Sequence, residues 1–225
     1  ANSCIATGFI NRGRVTLRDG INLTGCTMST LSSSGKIQNV LEVTMHGGEI
    51  TGNNGTYAVI GSPFYMYGGE IFENESTEST VWVPYWGSEA VFGGNAYIHD
   101  NTAAEVGGIR AYGDLTLESS AKIESCTSAN VAGGVSVTGT LKMEDDAVIS
   151  KCSSTGGSAG GALAWDLIMS GNARISSCTG SIIGACYPNS TVALSGTAAI
   201  MDCTSTATDE KIIYAGGLFS LGSIT

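Results

Sequence analysis

A short segment recurs along the chain at a nearly constant interval, and this repetition constrains the fold more than any other feature. The segment is Ile or Leu, two further residues, and then Cys or Asn. Successive copies are 21 to 27 residues apart. A unit of this length, repeated nine times, predicts a solenoid of stacked coils. The fourth position is held, in chain order, by Cys4, Cys26, Asn53, Asn74, Asn101, Cys126, Cys152, Cys178 and Cys203.

Each unit also contains strand-like segments in which apolar residues alternate with polar ones. Leu115-Thr-Leu117 and Leu141-Lys-Met143 are examples, and Gly107-Gly108 shows the paired small residues that follow the column position. A period of 2 indicates strands, whereas a period of 3.6 would indicate helices. One coil cannot bury its own inner face, so the coils must stack about 4.8 Å apart. We therefore predict an all-β parallel β-helix of about nine coils of ~25 residues, each with three short strands and right-handed crossovers.

Stacking places the nine fourth positions above one another in a column. Inward Asn amides can form hydrogen bonds along such a column and to turn carbonyls, whereas inward Cys behaves as a small hydrophobe. Because the two side chains differ, we expect the corner to change shape between Asn101 and Cys126. In-register parallel strands hold Cβ vectors side by side, which fits disulfide geometry poorly. We therefore favour buried thiols, while pairing among the seven cysteines stays open; Cys186 lies off the column.

Composition and charge exclude some classes of partner. The net charge is −10 and the ten Lys and Arg residues are scattered, so the chain has no footprint for nucleic acid. No apolar run approaches the length of a transmembrane helix. We expect residues 1–225 to form one solenoid domain. The repeat is nearly in phase at the two ends, which favours either a segment of a longer solenoid or a subunit that stacks head to tail into a fibre.

Two short motifs carry a resemblance to known proteins. Gly107-Gly108-Ile109 and Gly133-Gly134-Val135 resemble a repeated Gly-Gly-Ala-Ile motif, and Ile71-Phe-Glu-Asn74 and Ile98-His-Asp-Asn101 resemble a Phe-x-x-Asn motif with Ile in place of Phe. Both motifs are typical of polymorphic outer-membrane and autotransporter-adhesin surface proteins. The resemblance implies a secreted or cell-surface β-helix with a structural or adhesive role. Pectate-lyase-like enzymes share this fold, so a carbohydrate-active enzyme, either a polysaccharide lyase or a glycoside hydrolase, is the alternative.

The sequence offers little for catalysis or for metal binding. Asp145-Asp146 is the most suggestive acidic pair, but it occupies a turn position of the repeat, where Asp is common. His46 and His99 are the only histidines, so a His-based catalytic group is poorly supported. Cys-x-x-Cys is absent, as are phosphate-loop and zinc motifs. We therefore predict no catalytic residue, no metal site and no cofactor.

One longer coil departs from the repeat and concentrates aromatic residues. It places Trp82, Tyr85 and Trp86 close together, with Tyr65 and Tyr67 one coil away. Aromatic rings on a polar rod can form a stacking surface for sugar rings or for a protein partner. The alternative is that these rings pack over the protein's own core. We take the five residues as the candidate binding site.

Overall fold

A computed structural model describes residues 15–18, 22–24, 42–206 and 215–225, which form an all-β solenoid. The strands are arranged in one sheet of seventeen and one of eight, and neighbouring strands are parallel. Within the described residues there is no helix, and hence none able to cross a membrane. The predicted fold class, a parallel β-solenoid, is confirmed. Cys4 and Cys26 lie outside the described residues.

Most strands are only two to four residues long, because each side of a coil is short. In chain order they are β1 (Val15–Leu17), β2 (Asn22–Thr24), β3 (Val43–Met45), β4 (Glu49–Thr51), β5 (Asn54–Ile60), β6 (Phe64–Met66), β7 (Glu70–Phe72), β8 (Glu75–Phe92), β9 (Tyr97–His99), β10 (Thr102–Ala103), β11 (Val106–Leu117), β12 (Lys122–Glu124), β13 (Thr127–Ser128), β14 (Val135–Val137), β15 (Thr140–Met143), β16 (Val148–Ser150), β17 (Ser153–Ser154), β18 (Ala162–Ala164), β19 (Asp166–Met169), β20 (Arg174–Ser176), β21 (Thr179–Gly180), β22 (Cys186–Pro188), β23 (Val192–Leu194), β24 (Ala199–Met201) and β25 (Thr204–Ser205).

The strand register defines six complete turns, with further paired strands at both ends of the stack. We predicted nine coils, so the described residues contain fewer complete turns than that. Most of the chain before Glu42, where the first predicted coils fall, lies outside them. The six turns follow from the pairing of Val43 with Phe64, Phe64 with Ala90, Ala90 with Leu115, Leu115 with Leu141, Leu141 with Leu167 and Leu167 with Val192.

Each coil has three faces, as the alternating pattern predicts. The first face contains β1, β3, β6, the ends of β8 and β11, β15, β19 and β23. The second face is the eight-stranded sheet of β2, β4, β7, β9, β12, β16, β20 and β24. The third face contains β5, the middle of β8, the start of β11, β14, β18 and β22. The short strands β10, β13, β17, β21 and β25 follow the second face.

The core is one continuous column, because every inward residue lies on the equivalent residue of the next coil. The second face contributes buried isoleucines from Ile50 to Ile175. On the first face Phe64 lies on Ala90, and its ring also stacks diagonally on Phe92, with ring centroids 5.4 Å apart and planes 6° from parallel. Burial of such side chains contributes about 1.5–3 kcal/mol each, so stacking supplies the main stabilisation of every coil.

The paired glycines before the third face are required by close approach between coils. A Cβ atom on Gly134 would lie 2.5 Å from the carbonyl oxygen of Gly161, and one on Gly107 would collide with the carbonyl oxygen of Gly133. No side chain fits at these distances. The in-frame Gly-Gly step is therefore a packing requirement of the stack.

The predicted column is present at the corner between the second face and the short strands. Asn74 donates from Nδ2 to the carbonyl oxygens of Phe72 and Ile50, both at 2.9 Å. Its Oδ1 accepts from the backbone N–H of Asn53 at 3.0 Å, and Asn101 Oδ1 accepts from Asn74 N in the same way. These buried amides therefore join successive coils and satisfy turn carbonyls.

The cysteines continue this column with the same contacts. Cys126 Sγ lies 3.4 Å from the carbonyl oxygen of Glu124, two residues back, as Asn74 Nδ2 does from Phe72. Cys203 Sγ accepts from the backbone N–H of Cys178 at 3.4 Å. Our expectation that the corner changes shape between Asn101 and Cys126 is wrong, because a thiol occupies the amide's place as a weaker donor and acceptor.

A second feature of this corner explains why it keeps one shape. The residue before each described column member has a positive φ, between 51° and 65°. Only the first is glycine, although this backbone conformation costs other residues roughly 1–2 kcal/mol. The stacked neighbours therefore impose it. These residues are Gly52, Glu73, Asp100, Ser125, Lys151, Ser177 and Asp202.

We predict that Asn74→Ala lowers the free energy of unfolding by about 2–4 kcal/mol, because it leaves several buried backbone groups unpaired. Asn74→Cys should lose no more than about half as much, since a thiol fills the same position in four other coils. Urea denaturation followed by circular dichroism measures both values. Equal losses for the two variants would contradict the equivalence of amide and thiol.

Candidate functional site

Four aromatic rings meet where the third face turns into the first, and we call Tyr57, Trp82, Trp86 and Tyr112 the aromatic corner. Trp82 stacks on Tyr57, with centroids 4.6 Å apart, and meets Tyr112 edge-on at 6.2 Å. Trp86 stacks on Tyr112 at 5.9 Å and is 79% exposed. The inner rings are thus packed, while the outermost indole presents its surface to solvent.

Strand register explains how these rings come together. Trp82 lies in β8, between Ile60 of the preceding coil and Arg110 of the following one. The four residues from Pro84 to Gly87 bulge out opposite Tyr112 and carry Trp86 over its ring. The longer coil seen in the sequence therefore exposes an indole instead of covering the core.

A charged pair borders the aromatic corner. The Arg110 guanidinium lies 5.6 Å from the centre of the Tyr112 ring and 3.5 Å from the Glu78 carboxylate. Burial, together with the negative charge of Glu78, raises the pKa of Tyr57 to about 12. The corner therefore combines stacking surface with both signs of charge, a combination that suits a polar ligand with flat apolar faces.

The other predicted site residues lie in a second group on and beside the first face. Tyr65 and Tyr67 stack with centroids 6.4 Å apart, and His46 stacks on Tyr67 at 5.6 Å. The Tyr65 hydroxyl donates to Glu89, two residues after the bulging segment that carries Trp86. Tyr85, also on that segment, is 37% exposed. The structure thus brings Trp82 and Trp86 together, with Tyr65 and Tyr67 stacking separately.

Tyr57 and Tyr112 belong to the aromatic corner and Arg110 borders it, but none of the three was in the predicted site. Tyr57 lies in β5, just after a register shift between β5 and β8, and its ring stacks on Trp82. Arg110 lies directly beside Trp82 in the parallel register. Aligning the longer coil on Val83 and Ala111 would have placed Arg110 beside Trp82. Tyr57 gives no such periodic signal, because a register shift precedes it.

Beneath the aromatic corner the interior is unusually polar. The hydroxyls of Ser76, Ser79 and Thr80 and the indole N–H of Trp82 are buried and have no hydrogen-bond partner within the protein. Ser79 pairs with Val106 of the next coil, and Thr80 alone stands opposite the Gly107-Gly108 step of that coil. Each such group costs about 1–3 kcal/mol. We infer that this coil is locally the least stable of the described part.

A second polar cluster lies on the second face around His99. Its ring is sandwiched between Phe72, with centroids 5.0 Å apart, and Tyr97, at 4.0 Å. Nδ1 lies 2.7 Å from an Asp100 carboxylate oxygen, and Nε2 lies 3.4 Å from Glu70. A neutral imidazole can donate to only one of these carboxylates, whereas the protonated ring donates to both.

The same face continues into a hydrogen-bonded chain of three side chains. The Tyr97 hydroxyl donates to Glu124 at 2.8 Å, and the Lys151 ammonium donates to the other carboxylate oxygen at 2.7 Å. The bonds from Lys151 and from Tyr97 lower the pKa of Glu124, while burial and the bond to Glu124 raise the pKa of Tyr97. These groups are mutually satisfied, which indicates a stabilising role.

The remaining sequence candidates have structural roles. Asp145 adopts a positive φ in its turn and accepts from the backbone N–H of Ser119 at 3.0 Å, and Asp146 accepts from Asn172 at 2.9 Å. The prediction that this pair forms a turn is confirmed. In the described part of the chain, no three His, Cys, Asp or Glu side chains are grouped so that they could hold a metal ion.

Comparison with known proteins gives no relative: no family model, no curated protein and no solved structure matches this chain. The class of protein is therefore defined by its fold alone. It is a parallel β-solenoid with an exposed aromatic corner.

We predict that Tyr97→Phe lowers the free energy of unfolding by about 1 kcal/mol at neutral pH, because the hydroxyl bond to Glu124 is lost. The pKa of Glu124 is lowered on folding from its ordinary value of 4.5. The stabilisation that ionised Glu124 gives the folded state is therefore complete above pH 4.5. It is lost as the pH falls through the lowered pKa of the folded state. The difference in the free energy of unfolding between the unchanged protein and Tyr97→Phe should shrink in the same pH range.

Chemical denaturation at neutral pH and in buffers below pH 4.5 checks this. Tyr187→Phe, on the third face, is the matched control and should show no such pH dependence. A Tyr97→Phe difference that stays constant on acidification would contradict the role given to Glu124.

Proposed function

We propose that this protein is a secreted or cell-surface β-solenoid with a structural and adhesive role, and that it binds its ligand at the aromatic corner. One observation carries the proposal: the Trp86 indole is 79% exposed and is held in place by stacking on Tyr112. A large apolar ring kept on a polar surface is typical of a recognition site. The ring is ordered before binding, so little side-chain entropy is lost on contact.

The rest of the molecule supports a display role. The core is a single column, so the rod is extended and its corners are separated along the axis. Resemblance to outer-membrane and autotransporter surface proteins favours the same setting. The proposed partners are a glycan or a protein at the aromatic corner and, through strand pairing between rods, a second copy of the chain.

The His99 cluster favours a second candidate, a carbohydrate-active β-helix enzyme. Glu70, Asp100 and Glu124 lie on or beside one face together with an imidazole and a lysine, which supplies groups for acid–base catalysis. Against this, the Glu124 carboxylate is already bonded to Tyr97 and Lys151, and His99 is only 14% exposed between two rings. The adhesive role is therefore preferred.

We predict that Trp86→Ala weakens binding to the best ligand of an immobilised polysaccharide and glycoprotein panel by about tenfold or more, or about 1.4 kcal/mol. The variant should fold normally, because Trp86 contributes no buried core surface. Trp165→Ala is the matched control, since Trp165 is also exposed at this corner, at 55%, in a different coil.

Unchanged binding by Trp86→Ala, or equal loss in Trp165→Ala, would contradict the assignment. The same assay distinguishes the adhesive role from the second candidate, the carbohydrate-active enzyme. If a polysaccharide is shortened during the assay and His99→Gln abolishes that turnover, the enzyme interpretation replaces the adhesive one.

A further inference from the structure

The cysteine part of the column is a chemically distinct feature that the proposed adhesive role does not use. Cys126, Cys152 and Cys178 are buried and Cys203 is partly exposed, and all four are free thiols. We call these four residues the thiol column. Cys186 is also buried and free but lies on the third face, away from the column register.

The spacing between coils sets the spacing between the sulfur atoms. The column members lie two residues after the ends of the second-face strands β12, β16, β20 and β24, which pair in register. Neighbouring strands lie about 4.8 Å apart, so equivalent sulfur atoms recur at roughly that interval. Each sulfur points to the same backbone target, the carbonyl oxygen two residues back, at 3.1–3.4 Å. The four side chains therefore share one orientation.

This interval fits a linear sulfur–metal–sulfur unit better than a disulfide. A metal–thiolate bond of about 2.3 Å, the value for zinc, gives a linear unit about 4.6 Å long. A disulfide instead requires the sulfurs to approach to about 2.05 Å, which in-register strands resist. Tetrahedral zinc needs four ligands around one point, which a straight column does not provide. Soft monovalent cations such as Cu(I) accept two thiolates in a line.

The thiol protons can be lost without leaving backbone groups unpaired. The carbonyl oxygen of Ser176, which faces Cys178 Sγ, also accepts the backbone N–H of Lys151 at 3.0 Å. The carbonyl oxygen of Met201, which faces Cys203 Sγ, accepts the N–H of Ser177 at 3.1 Å. Removing the S–H donors therefore leaves both carbonyl oxygens hydrogen-bonded.

The column offers one sulfur a backbone donor, and the protein as a whole attracts cations. The backbone N–H of Cys178 donates to Cys203 Sγ at 3.4 Å. The net charge of −10 draws cations to the protein as a whole.

We propose that Cys178 and Cys203 form a two-coordinate site for a soft monovalent cation, Cu(I) in chemical class. Two thiols and one cation give a bis-thiolate complex of charge −1 and release two protons, with no change of oxidation state. Cys203 is the point of entry, because it is the one member of the thiol column that solvent reaches. The prediction of no metal site rested on the absence of Cys-x-x-Cys and His partners, a signal for tetrahedral sites only.

The test uses Ag(I), which is stable in air and has the same two-coordinate preference. Reduced protein in which Cys4 and Cys26 are replaced by serine is titrated with Ag(I). Thiolate-to-metal charge-transfer absorption and native mass spectrometry report occupancy. We expect one tightly bound Ag(I) ion per chain and a rise in the unfolding midpoint.

Two variants in that background make the result specific. Cys203→Asn should lose at least about a hundredfold in Ag(I) affinity, about 2.7 kcal/mol, while still folding, because Asn occupies the column in three other coils. Cys186→Ser removes a buried thiol off the column and should bind Ag(I) unchanged. No bound Ag(I), equal binding by Cys203→Asn, or loss of binding in Cys186→Ser would each overturn the proposal.

Discussion

In-register stacking of parallel strands is the constraint on which the rest of this structure depends. Because every coil repeats the same path, each residue lies on its equivalent in the next coil, and its side chain must tolerate a copy of itself about 4.8 Å away. Apolar residues meet this condition by packing, as Ile71 and Ile98 do. Amides meet it by hydrogen bonding, as Asn53, Asn74 and Asn101 do. The glycines at Gly107 and Gly133 meet it by having no side chain.

The same condition explains what sequence reasoning could and could not predict. The period, the inward isoleucines, the column and the turn at Asp145 all repeat, so they were visible. The positive φ at Glu73 and Lys151 was not, because neither residue type signals it and the stacked neighbours impose it. The shared geometry of Asn and Cys in the column was also missed, since their chemistry suggested different corners. At the candidate site, Tyr57 escaped prediction because a register shift between Gly55 and Tyr57 interrupts the period just before it.

Function in such a rod is expected where the repeat is broken. The aromatic corner arises where six residues separate Val83 from Ala90, against three between the equivalent positions of the next coil. In the same coil Thr80 stands opposite the glycine pair, and buried hydroxyls have no partner within the protein. The coil that these unpaired hydroxyls destabilise is also the coil that exposes Trp86. The His99 cluster, by contrast, keeps the regular register, and its Tyr97–Glu124–Lys151 chain joins three successive coils. We therefore interpret the first as a recognition site and the second as lateral reinforcement.

The most direct test of this account is to remove one whole coil. Leu141 pairs with Leu167, so deleting residues 141–166 joins Thr140 to the residue equivalent to Leu141 and preserves every column. The account predicts a shorter protein that keeps its β-sheet circular dichroism and unfolds cooperatively in urea. Deleting residues 141–165 instead places Asp166 at the buried position of Leu141 and turns the following strand inside out, so cooperative unfolding should be lost. Failure of the in-register deletion to fold, or equal behaviour of the two deletions, would contradict the account.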